Sequence, residues 1–244
     1  MLKYSISLVV VLMLLVSCKT TSVLQGTHIN TTQHIPLGGI GLDKAFLLQK
    51  EFNAAALPNY TAPIKVSTAV VPFTKTTHKN YVKAKALQNT NVTINYIDSL
   101  PEKPTYIKLQ LADKVEVINT LNNEDNLNVK NYLLNNKAAN VVTSLNLALN
   151  KTEFDAITQA NSVFLIEASS KHYALKLYYA NSESKRIEFN QGVVFGYQTA
   201  HCCWKENKQL KLNIVDFVDA YSSCPNKSYR SANKAKKNRN YYKL

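Results

Sequence analysis

The chain has 244 residues, 45% of them hydrophobic and 18% charged, with a formal net charge of +13. That composition excludes disorder throughout and leaves, once an export segment and a tether are set aside, about 200 residues, enough to bury the core of one domain. The charge is uneven: seven basic and no acidic residues lie between Lys227 and Leu244, while Cys18 to Asn226 carries only +5. A mildly basic body is no argument for nucleic acid as a partner.

In chain order, the first feature is a short charged start at Lys3, an apolar run from Ile6 to Val16, and then Leu15-Val16-Ser17-Cys18. The run is too short for a spanning helix, which needs about 20 apolar residues. Leu15 to Cys18 resembles the bacterial lipobox, in which a small residue precedes a cysteine that is acylated and becomes the new N-terminus. The resemblance covers residues 1–18 only. It implies a signal peptide over 1–17, palmitate-type acylation of Cys18 and a lipid bilayer as the first partner. Lys19, standing where an aspartate would mark inner-membrane retention, points to the outer membrane and its periplasmic side.

Residues 18–40 are polar, Thr-rich and aperiodic, and read as a flexible tether ahead of a single domain over 41–226. Ala45, Phe46, Leu48 and Phe52 predict a helix over 42–54. Strand patterns follow at 64–73, 92–97 and 106–111, with Pro101 and Pro104 marking a turn. Asn122 and Asp125 predict the start of a second helix that carries Leu127, Val129, Leu133 and Leu134. A strand over 141–149 leads to a third helix beginning at Thr152 and ending near Ala160. From Val163 onward, runs at 163–168, 172–179, 186–189, 193–201 and 210–217 alternate with turn-like segments, the pattern of an antiparallel meander. The fold class is therefore α+β, an antiparallel sheet with about three helices.

Beyond Cys18 there are three cysteines. Neighbouring strand residues point to opposite faces, so Cys202 and Cys203 should not both reach Cys224. Cys203 shares a face with Val193, Phe195 and Tyr197, which favours a Cys203 to Cys224 disulfide, with Cys202 to Cys224 as the alternative. His201 and the cysteines lack the paired-ligand spacing of structural zinc, and no Cys-x-x-Cys is present, so neither a metal nor a redox centre is expected. Trp204 reads as a packing residue.

Catalytic signatures are missing. There is no G-x-S-x-G, no His-Glu-x-x-His and no phosphate loop, and after Gly41 only Gly192 and Gly196 remain to build one. No cofactor is expected. The carboxylate pairs Glu167 with Glu188 and Asp216 with Asp219 carry little weight in a chain with 16 acids. Residues 227–244 combine Lys227, Arg230, Lys234, Lys236, Lys237 and Arg239 with Tyr229, Tyr241 and Tyr242. They read either as a solvated tail or as a surface for anionic lipid or envelope polymer.

The first functional expectation is a non-enzymatic binding or structural module on a lipid leash, with an envelope protein or polymer as partner. The alternatives are an envelope-polymer hydrolase, which would need a cleft lined by carboxylates or by His172 and His201, and an inhibitor or immunity-type lipoprotein.

Overall fold

A computed structural model describes residues 28–45, 50–181 and 183–236. Cys18, Lys237 and Arg239 lie outside them. The strands are β1 (Ile29–Asn30), β2 (Ile40–Ala45), β3 (Lys50–Ala56), β4 (Ile64–Pro72), β5 (Thr105–Leu111), β6 (Ala139–Ala148), β7 (Ser162–Ser169), β8 (His172–Tyr178), β9 (Ser184–Glu188), β10 (Val193–Glu206) and β11 (Leu212–Val218). The helices are α1 (Lys75–Gln88), α2 (Lys114–Asn122), α3 (Leu127–Asn135), α4 (Lys151–Gln159) and the single turn α5 (Ala232–Ala235). The fold is α+β, as the grouping of strands with a few helices implied, although the described residues hold five helices instead of about three.

All pairings are antiparallel, and the main path runs β1-β10-β6-β5-β4-β7-β8-β9. β6 and β10 form the spine. On its other edge β6 pairs first with β2, over 139–141, and then with β5, over 144–147. β10 likewise pairs with β1 at Gly196 and Tyr197 and with β11 from His201 onward. The sheet therefore forks: β2 and β3 leave the spine at one end, and β5 with its outer neighbours leaves it at the other. Thr143, bypassed where the β6 and β10 register shifts, sits at the fork.

Two hydrophobic clusters fill the fold. The smaller one places Tyr81 and Ala84 of α1 against Phe73, Tyr106 and Phe195, with ring centroids 4.9–5.7 Å apart around Phe73. The larger gathers Leu109, Val117, Leu121, Leu145, Ile157, Leu165, Tyr197 and Trp204. A sheet with side chains packed on both faces shields its ladder from water.

Four expectations differ from what the chain does. The helix expected over 42–54 is the β2–β3 hairpin, with Asp43 opposite Phe52. Its apolar spacing suits a helix, but β6 offers an edge, and Gly41 seats opposite Asn140. A Cβ at Gly41 would run into the Phe52 ring and the Asn53 carbonyl, so close approach of the hairpin requires glycine there. The strand expected at 92–97 is absent. Its backbone is served by the Tyr81 hydroxyl, which donates to the Val92 carbonyl at 2.8 Å and accepts from the Ile94 amide at 3.2 Å.

The tether expected to run to residue 40 stops sooner. Ile35, Leu37 and Ile40 are buried, β1 is paired to β10, and at Gly38 (φ +77°) the amide donates to the Val142 carbonyl while the Val142 amide donates to the Gly39 carbonyl. Apolar side chains that find a core pull the segment in. The domain likewise runs past Asn226. Trp204 and Tyr229 exchange backbone hydrogen bonds at 2.8 and 2.9 Å, and Ser228, Ala232 and Ala235 are buried.

α1 and α2 were not expected. α1 buries only Tyr81, Ala84 and Gln88, too sparse an apolar stripe for periodicity to reveal, and it is held by a Thr74–Thr77 capping box and a left-handed Asn89. The Gln88 carboxamide then bonds both backbone groups of Val194, donating to its carbonyl at 2.5 Å and accepting from its amide at 2.9 Å.

Candidate functional site

A cleft of about 390 Å³ opens at the fork of the sheet. β2 contributes Asp43, β6 contributes Asn140 and Thr143, and β10 contributes Thr199 and His201. Lys114 and Val117 of α2, Phe217 of β11 and the loop from Asp219 to Tyr221 close the other side. The size is that of a small-ligand site.

Asp43 is the best-anchored charge in the cleft. Its Oδ1 accepts from the Tyr197 hydroxyl at 2.8 Å; its Oδ2 accepts from the Thr199 hydroxyl at 3.0 Å and the Asn140 amide at 3.2 Å. Alternation along β10 puts Tyr197 and Thr199 on one face, so both reach the same carboxylate. Burial, then the hydrogen bond to Asp43, push the Tyr197 phenol well above its usual range, and it stays a donor.

The opposite wall is held equally firmly. Asp216 is paired with Lys114 and also accepts from the Phe217 amide at 2.8 Å. Asp219 accepts from the Tyr221 and Ser222 amides, and hydrogen bonding from Ser222 and Tyr221 lowers its carboxyl pKa. Arg230 donates to the carbonyls of Asp219, Ala220 and Ser222, pinning that loop. His201 titrates below the ordinary range, first because it is partly buried and then because of Arg230, with Asp43 and Asp219 opposing. It is neutral near pH 7.

The residues singled out in the sequence fall in different places. Cys203 and Cys224 are bonded, with Cα atoms 5.6 Å apart, and Cys202 is a buried free thiol whose pKa burial pushes up to about 12. The alternative pairing is thus not the one formed: Cys202 sits in the core beside Tyr60. His172 opens β8, five places along the sheet from β10, so His172 and His201 do not share a cleft, whereas the carboxylates Asp43 and Asp219 do line one together. Glu167 accepts from the Lys171 amide and Glu188 pairs with Arg186, on strands separated by β8. Of the basic residues at the end of the chain, Lys227, Lys234 and Lys236 are exposed, whereas Arg230 is taken up in bracing the loop. Asp43, Asn140, Tyr197 and Thr199 carry no local sequence signal, since their meeting depends on three strands far apart in the chain.

Outside the cleft, both ring nitrogens of His28 are buried without a partner, and burial, then Lys108, lower its pKa to about 4. Its folded-state pKa lies below the unfolded value near 6.5, so the unfolded chain binds more protons between those pH values. Stability is expected to be complete above about pH 6.5 and to decline as pH falls toward 4. Urea unfolding at pH 7.5 and 4.5 checks this, and His28→Gln should make the difference smaller.

No family model matches the chain, and neither a curated protein nor a solved structure matches it.

Proposed function

We propose that the chain is a lipid-anchored lipoprotein of the bacterial outer membrane, facing the periplasm, whose domain is a non-enzymatic binding module with the fork cleft as its binding face. The observation that carries the binding half is how the cleft's carboxylates are held. Asp43 has three donors and Asp219 caps its own loop, while Asp216, outside the lining, pairs with Lys114. A carboxylate offers about four acceptor positions, so Asp43 is fixed in place by its three donors and still keeps one position for a ligand. A carboxylate oriented in this way receives a donor without rearranging, which is what ligand holding uses.

The anchor half rests on Leu15-Val16-Ser17-Cys18 at the end of a signal-length apolar run. Acyl chains contribute about 0.8 kcal/mol per buried methylene, so multiple chains hold a protein on its membrane. Lys227, Lys234 and Lys236, exposed near the far end of the domain, would add a weaker, salt-sensitive attraction to anionic headgroups or polymer.

Replacing Cys18 with serine is expected to abolish palmitate labelling and leave only an association with membranes that a high-salt wash removes. Salt-resistant membrane association in that variant would sink the anchor.

A further inference from the structure

The Asn140 side chain, part of the cleft's lining, holds an unmet hydrogen-bonding requirement. Asn140 is only 4% exposed, and its Oδ1 has no partner. Its orientation is not interchangeable. The amide nitrogen donates to Asp43, and turning the group over would set a carbonyl oxygen against a carboxylate. The free acceptor is therefore imposed by Asp43, at a cost of about 1–3 kcal/mol for a buried polar group without a partner.

The surroundings favour donors of positive charge. In a chain of net charge +13, the charged side chains lining this cleft among the described residues are Asp43, Asp219 and Lys114, and Lys114 is already matched to Asp216. Beside them stand the neutral imidazole of His201 and the apolar walls of Ile29, Val117 and Phe217. An anion would meet two carboxylates there. A neutral apolar molecule would leave the Asn140 oxygen as it is.

We propose that this cleft binds a small molecule through a primary ammonium group, whose charge is matched by Asp43 and whose N–H groups are received by Asp43 and the free Asn140 oxygen. The inference rests on reading the cleft as a binding site. An ammonium carries three N–H donors and no acceptor, so it satisfies adjoining acceptors at once. Charge-assisted hydrogen bonds of this kind are about twice as strong as neutral ones. The apolar walls would take the carbon body that bears the amine.

The test follows the amide resonances of Asn140, Thr199 and His201 in the full chain in detergent micelles. The probes are n-butylammonium, tetramethylammonium and n-butanol. Saturable shifts with n-butylammonium, and at least tenfold weaker binding of the other two, are expected, because one lacks N–H donors and the other lacks charge. That ranking needs no variant. Asp43→Asn should weaken n-butylammonium at least tenfold, read alongside its melting temperature and an intact Cys203 to Cys224 bridge.

Glucosamine and Nα-acetyl-lysine amide then separate a ring-borne amine from a chain-borne one; binding of either supports the proposal. Equal binding of n-butanol or tetramethylammonium, or an unchanged affinity in a folded Asp43→Asn, overturns the ammonium assignment and leaves the cleft a binding site. If none of the probes moves these resonances, both readings fail.

Discussion

Gln88→Ala is expected to destabilise the domain by about 3 kcal/mol, because it removes one side chain and strands two buried backbone groups. The Gln88 carboxamide does for Val194 what a neighbouring strand would do, meeting its amide and its carbonyl together. Val194 is fully buried next to the register shift between Val194 and Gly196, so water cannot take over the lost bonds without opening the sheet. Each unpaired buried group costs about 1–3 kcal/mol. In a domain of this size the loss corresponds to a fall of roughly 6–12 °C in melting temperature. Urea unfolding should show a lower midpoint with the slope unchanged. A loss under about 0.5 kcal/mol would mean that the two groups find other partners, and the role assigned to Gln88 would be wrong.

Cys224→Ser is expected to cost about as much, by a different route. The bridge to Cys203 spans 21 residues, and closing a loop of that length removes chain entropy worth about 3 kcal/mol from the unfolded state. The loop it closes contains β11 and the Asp219 to Ser222 turn, and the chain beyond it pairs Tyr229 with Trp204. Loss of the bridge should therefore loosen the segment from Tyr229 to Ala235 and expose Trp204, which is 2% exposed in the intact fold. A red shift of tryptophan fluorescence at denaturant concentrations where the native protein is unaffected would report it; Trp204 is the only tryptophan. Cys202→Ser, by contrast, should leave the bridge intact in non-reducing peptide maps, since Cys202 is not part of it. A bridge that shifts to Cys202 in the native protein would contradict the pairing.

Much of the sheet was legible because its strands announce themselves locally. The alternation at 64–72 and 105–111, and the turn-separated runs forming β7, β8 and β9, follow from a period of two and from nearest-neighbour hairpins. α4 was legible from Thr152 with Asp155 and from the packing of Phe154, Ala156 and Ile157, although the helix starts at Lys151, after Asn150. The choice of Cys203 over Cys202 followed from the same two-residue period, which sends adjacent side chains to opposite faces.

What the sequence by itself determined, then, is local: which segments extend, which hairpins close, which cysteine faces which way. Only the tertiary structure decided the rest. β10 inserts between β1 or β11 on one edge and β6 on the other, although β9 precedes it in the chain. That placement draws β2 onto β6 and turns an expected helix into a hairpin, since an open strand edge offers hydrogen bonds that outweigh a weak helical preference. It also brings Asp43, Asn140 and Thr199 together from positions up to 156 residues apart. A site made by pairing across such separations has no motif to read, because each of its residues acquires its role only from strands that lie elsewhere in the chain.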